Sequence, residues 1–482
     1  MSKQRYALLV VLLFTVLAST LTAKDEPNLT ERYRETAGRI LGAALVDDEG
    51  WEKLTYLTTQ IGHRLSGSPQ LERATRWAAE RMQAEGLENV RLQAVKVPHW
   101  VRGEESARVV APVEKELAIL GLGGSVGTPP EGITAPLVVV SSFEELEALG
   151  REKVEGKIVL YAVDWQGYGR TVRYRVAGAS AAARLGAVAV LVRSATPRSL
   201  YSPHTGMMRY QEDAPRIPAA AVTVEDAVWM RRLVESGQEV VVKLTMEAKM
   251  LPEADSANVI AEIVGREKPD EVVVLGGHLD SWDVGQGAHD DGAGSIAAWQ
   301  ALTLLHRLGL RPRRTLRVVL WTNEENGGAG ARAYREWVGD DISNHVAAIE
   351  MDGGAERPVG FGLGLGAEAD FFRALREGRQ PELTPEAEQA LTRLRQIGRL
   401  LEGAGAGEIR LGGGGADISP LMREGVPGLS LRTVGEHYFD WHHTRADTLD
   451  KIDPQNFRRA VALLAVMGYV LADMPDRLVE PQ

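Results

Sequence analysis

Residues able to hold a metal ion or move a proton recur in this sequence at one kind of place, directly after runs that read as β-strands. After EVVVL (271–275) come His278 and Asp280, after TLRVVLW (315–321) come Glu324 and Glu325, and after VAAIEM (346–351) comes Asp352. His443 follows the apolar run 428–431. Asp290 and Asp291 sit just before a helical pattern, where the helix dipole favours a carboxylate. In open α/β sheets ligands bind beyond the carboxyl ends of the strands, so these distant residues are expected to meet there.

Two histidines and several carboxylates suit zinc, which takes imidazole nitrogen and carboxylate oxygen at about 2.0–2.2 Å. Manganese and cobalt accept the same ligand types. The expected arrangement gives one ion His278 and Asp352, gives a second Glu325 and His443, and lets Asp290 bridge them. Each ion then has three protein ligands and one open position, as catalytic zinc requires. Asp280 is expected to accept the other ring N–H of His278 and fix its tautomer. Neighbouring side chains in an extended segment point apart, so Glu325 can ligate while Glu324 stays free. A free carboxylate beside a metal-activated water is a general base, and the expected chemistry is hydrolysis in which Glu324 takes a proton from water and passes it to a leaving amine.

Singly, each of these residues reads as a turn former or a surface group, and only their recurrence on successive strand ends favours chemistry. Trp282, Asp283 and Asp291 are undecided. His289 is either a third imidazole near the metals or, as a neighbour of Asp290, turned away; His442 is expected to turn away from His443. Asp417, after the glycines at 412–415, either holds a substrate terminus or caps a helix. His204 and Tyr210 are expected at the surface, with overhang of the site as the alternative.

The elements that must position these groups are legible in outline. Residues 30–84 carry helical periodicity, broken by a loop, GHRLSGSPQ (62–70), placed to reach a site. Residues 89–97 alternate as a strand. From 116 to 249 the texture changes to short β-rich runs at 137–140, 157–163, 187–192 and 240–244, with one small-residue helix at about 176–185. From 258 onward strands (271–275, 315–321, 346–351) alternate with helices (292–308, 329–337), followed by helices at 385–401 and 454–474. The expected fold class is therefore α/β, a mixed central sheet flanked by helices, interrupted by an inserted β-rich domain.

Composition sets further bounds. A chain of 482 residues with 44% hydrophobic and 25% charged residues can fill more than one core. Lys3 and Arg5, an apolar run from 6 to 17 and small residues to Ala23 read as a signal peptide over 1–23, so the protein is expected to be exported to a periplasm or the extracellular space. The run is short for an uncleaved membrane anchor, and no second candidate span follows. The net charge of −11 disfavours nucleic acid as a partner. With no cysteine, thiol catalysis, thiolate-bound metal and a lipoprotein anchor are excluded.

GGHLDSWDVGQGAHDDGAG (276–294), LWTNEENGGAGARAY (320–334), EMDGG (350–354) and HHTRADTLDKIDP (442–454) resemble the dizinc aminopeptidase and glutamate carboxypeptidase family, with further matching stretches at 97–107 and 202–227. The resemblance implies a zinc exopeptidase fold in which 24–115 and 250–482 form the catalytic domain and 116–249 a protease-associated insert. It implies the same metal ligands (His278, Asp290, Glu325, Asp352, His443), Glu324 as base, Asp280 as helper and a cis peptide at Asp290–Asp291. It also implies dipeptide or short-peptide substrates with free termini and, for some members, a homodimer. His289 departs from the family pattern, and 355–410, expected to line the specificity pocket, matches it loosely. The competing readings are a broad aminopeptidase on longer peptides, a one-zinc glutaminyl cyclase, and a non-catalytic peptide-binding protein. An intact ligand set with its base argues against the last.

Overall fold

The computed structural model describes residues 28–365 and 383–480. The leader expected at 1–23 and part of the loosely matching segment 355–410 lie outside them. Among the described residues, two mixed sheets of eight strands organise the chain. The first runs, in spatial order, Glu88–Val101, Lys249–Ile263, Arg314–Trp321, Lys268–His278, His345–Glu350, Gly428–Thr433, Pro358–Gly364 and Glu408–Leu411. Its four middle strands are parallel to one another. Register carries the functional consequence: His278 pairs with Trp321, and Gly276 with Glu350, so the chain leaves these three strands at one edge.

The near-continuous apolar character of these strands reflects cover on both faces. Val273, Leu275, Leu316, Val318 and Leu320 pack on one side with the helices Ala293–Arg307 and Pro454–Asp473. Their alternates Val272, Val274, Val319 and Trp321 pack on the other with Tyr334, Ile418 and Leu421. The helix Ala293–Arg307 is buried almost all round, as a helix apolar on every face must be.

The second sheet belongs to the insert. Its strand Glu105–Ala111 pairs with Val241–Met246, so the insert's sheet begins upstream of the texture change at 116. The insert also has three helices, Phe143–Val154, Tyr168–Arg184 and Val224–Glu235, where one was expected. The charged outer faces of the two short ones hide the few buried apolar residues that hold them, such as Leu146 and Met230.

Candidate metal centre

Five residues converge at the carboxyl edge of the first sheet. His278 Nε2 lies 3.2 Å from Asp290 Oδ1 and 3.5 Å from Asp352 Oδ1. His443 Nε2 lies 3.2 Å from Asp290 Oδ2 and 3.1 Å from Glu325 Oε2. Asp290 thus turns one oxygen toward each of two histidines. The structure brings together His278, Asp290, Glu325, Asp352 and His443, with Glu324 half-buried beside them.

The local sequence explains why the ligands stand where they do. Asp290 occupies the turn Ala288–Gly292 ahead of the helix Ala293–Arg307, with a cis bond to Asp291. Asp291 accepts from the backbone N–H of Gly294 at 3.0 Å and of His278 at 3.1 Å, tying the helix start to the strand end. Asp447 accepts the N–H groups of Ala288, His289 and Asp290 at 3.1, 2.7 and 3.2 Å, and burial pushes its carboxyl up to about 7. Arg64, fully buried, comes from the 62–70 loop and donates to the carbonyls of Leu279, Gln286 and Gly287, holding the segment between His278 and Asp290. Burial lowers its guanidinium to about 10. Arg64 and Asp447 were not singled out from sequence; both act on backbone groups, which no spacing of residue types reveals.

Other expectations shift in detail. His278 Nδ1 bonds the backbone carbonyl of Asp280 at 3.0 Å, while the Asp280 carboxylate stands 3.7 Å away. That carboxylate instead accepts the N–H groups of Glu324 at 3.1 Å and Glu325 at 3.3 Å. A two-residue return from the strand end brings the carbonyl, not the side chain, back to the ring. His442, expected to turn away, stacks on His443 with centroids 3.5 Å apart and reaches within 3.6 Å of Asp290 Oδ2. His289 is turned away, accepting from the Ala355 N–H at 3.2 Å. Asp283 pairs with Arg102 at 2.6 Å, and Asp417 is buried with neither carboxylate oxygen hydrogen-bonded. Tyr210 is half-buried inside the insert, donating to the Ile217 carbonyl. His204, expected at the surface, is buried next to the centre because the insert folds down over it.

The electrostatics ask for cations. Burial pushes Glu325 up to about 7 and Glu350 up to about 8, and nearby carboxylates add to both shifts. Burial also holds Glu324 well above the usual carboxylate range, with Asp352, Glu325 and Asp290 contributing. Crowded buried acids oppose one another's ionisation, and divalent cations remove that opposition. His278 Nε2 and Asp290 Oδ2 have no hydrogen-bond partner although both are buried. Two groups, His278/Asp290/Asp352 and Asp290/His442/His443, place their donor atoms close enough to share an ion. The donors present, imidazole nitrogen and carboxylate oxygen, fit zinc.

A three-layered α/β domain with such a centre under an inserted β/α domain defines a metallopeptidase architecture, and comparison with known proteins agrees. Residues 258–467 match Peptidase family M28, and residues 133–230 match the PA domain. Carboxypeptidase Q of Mus musculus is 44% identical over 449 residues, covering 92% of this chain and 91% of that protein; the Homo sapiens protein is 44% identical, covering 89% and 87%. A solved peptidase M28 precursor from Shewanella amazonensis superposes with a TM-score of 0.84 at 33% identity, covering 94% of this chain and all of that one. A zinc aminopeptidase from Bacillus subtilis shares the fold, with a TM-score of 0.64 at 17% identity over 90% of this chain and 97% of that one. The chain belongs to peptidase family M28. It is a zinc-dependent exopeptidase, its PA domain inserted within the peptidase domain. Among the described residues, no helix is long and apolar enough to cross a membrane.

Proposed function

We propose that this enzyme is exported and removes terminal residues from dipeptides or short peptides, using two zinc ions per chain. The observation that carries the reading is Asp290, whose Oδ1 faces His278 and whose Oδ2 faces His443, each at 3.2 Å. His278, Asp352 and Asp290 would hold one ion; Glu325, His443 and Asp290 the other. Bound zinc supplies an acidified water and polarises the scissile carbonyl.

The chain's own residues do the rest. Glu324 is not a member of the proposed ligand set and its backbone N–H is held by Asp280, so its carboxylate is free to accept the water proton and hand it to the leaving amine. Raised affinity for a proton suits that shuttle. Access is restricted by the insert: Tyr168 stacks on Phe439 at 5.0 Å, Thr196 donates to the Phe439 carbonyl at 2.8 Å, and Thr205 donates to the His443 carbonyl at 3.0 Å. A roof this near the ligands favours short substrates. Export follows from the leader read at 1–23.

The test is a metal count on purified protein together with a peptide panel. About two zinc ions per chain are expected, with activity lost to chelators and restored by zinc. Dipeptides with free termini should be cut faster than blocked or long ones. Metal-free protein that still hydrolyses peptides would end the reading.

A further inference from the structure

Resting on the two-ion reading, we infer that the insert positions one half of the centre and leaves the other alone: Thr205, Gly206, Arg175 and Trp282 set how well the Glu325/His443 position holds its ion. The His278/Asp352 position is built by the catalytic domain itself.

His443 Nδ1 donates to the backbone carbonyl of Thr205 at 3.1 Å, and the Thr205 N–H donates back to the His443 carbonyl at 3.0 Å. Arg175, from the insert helix Tyr168–Arg184, donates Nη1 to the same Thr205 carbonyl at 3.1 Å and Nη2 to the Tyr168 hydroxyl at 2.9 Å. The pair of donors pins that carbonyl behind the imidazole. Gly206 makes the approach possible: its φ is +138°, and a Cβ there would stand 2.3 Å from Arg175 Cζ and 2.7 Å from His443 Nδ1. The other ligand is held through Trp282, whose backbone N–H donates to Glu325 Oε1 at 3.1 Å. Its indole lies in the insert's own hydrophobic core, so tightly against Gly123 that a Cβ there would fall 2.0 Å from the ring.

The partners of the second half are of a different origin. His278 Nδ1 bonds the Asp280 carbonyl, the His278 N–H donates to Asp291, and Met351, next to Asp352, donates its N–H to the Gly276 carbonyl at 3.1 Å. Among the described residues, none of these bonds involves the insert. A group that orients a metal-binding imidazole from behind fixes which ring nitrogen faces the ion, and its loss costs about 10- to 100-fold in metal affinity. The insert's loss of grip should therefore be felt at one position.

The experiment titrates metal-free full-length enzyme with zinc against a competing chelator and counts bound ions by elemental analysis. For Arg175→Ala and Gly206→Ala one ion should bind as in the parent protein and the other about 10- to 100-fold more weakly. Arg175→Lys, which keeps a donor for the Thr205 carbonyl, should fall between, and it serves as the comparison if the alanine variants fail to fold. Arg184→Ala, which breaks an exposed ion pair with Asp213 and a hydrogen bond to the Gln211 side chain on the insert's surface, should bind both ions normally. Equal weakening of both ions, or both ions unchanged in all the Arg175 and Gly206 variants, overturns the inference. A parent protein that binds fewer than two ions defeats the two-ion reading instead, and the two failures are told apart by that first titration.

Discussion

The carboxylate of Asp280 accepts the backbone N–H of Glu324 at 3.1 Å and, with its other oxygen, that of Glu325 at 3.3 Å. One buried side chain therefore fixes the turn that carries Glu324 and Glu325, the proposed base and a proposed metal ligand. Replacing it with Asn sets an amide N–H against a backbone N–H, donor facing donor. Asp280→Asn should lower kcat by about 10- to 100-fold, the range for losing such an orienting partner, while the His278 ring keeps its bond to the main-chain carbonyl of residue 280. Steady-state kinetics beside a metal count checks this; loss of metal with unchanged kcat per loaded enzyme would contradict it.

Glu324→Gln keeps the side chain's size and removes its basicity. With the ligand set untouched, zinc content and KM should hold while kcat falls about 10²- to 10⁴-fold, the usual worth of a general base. Near-normal turnover in the fully loaded variant would assign the proton transfer elsewhere.

How far these residues were readable from sequence depends on what each one does. His278, Glu325 and Asp352 were found because parallel strands end in register, so a rule about strand ends locates them before any geometry is known. The strands Pro358–Gly364 and Glu408–Leu411 were not found. Gly360, Gly362 and Gly364 leave no side chains on one face, where the backbone of 408–413 approaches so closely that a Cβ at Gly360 would lie 1.9 Å from the Glu408 carbonyl. Val359, Phe361 and Leu363 do alternate, but glycine at every second position, a residue that disfavours strands, masks the signal. His204 was misplaced for a different reason: its burial is made by the insert closing on the catalytic domain, a tertiary event with no local pattern. His442 stacks on His443 because the chain is not extended there, His443 having a φ of +60°, so the rule that neighbours point apart does not apply.

Arg64 illustrates a residue whose importance is wholly structural yet bears on the centre. Its guanidinium satisfies three backbone carbonyls of the 279–287 segment with no exposed surface. A lysine ammonium cannot fork to all of them. Losing two such charge-assisted bonds should cost about 3 kcal/mol or more of stability. Thermal unfolding of Arg64→Lys should show a clearly lowered Tm and weaker zinc retention, since the segment it holds joins His278 to Asp290. An unaltered Tm would mean that other contacts hold the segment.

His204 gives the fold a dependence on pH. Burial first, then the positive charges around it, Arg175 and Arg193 among them, lower its imidazole to about 3. In the unfolded chain the same ring takes up a proton near pH 6.5. The folded state therefore loses nothing above about 6.5; as pH falls from there toward 3 the unfolded state binds the extra proton, and stability drops through that window. At about pH 5 the loss from this residue is about 2 kcal/mol. His204→Gln, which keeps a donor but cannot titrate, should shrink the difference in unfolding free energy between about pH 7.5 and about pH 5 by that amount. Denaturant unfolding of both proteins at the two pH values measures it directly, and the same drop in both would place the acid sensitivity in other groups.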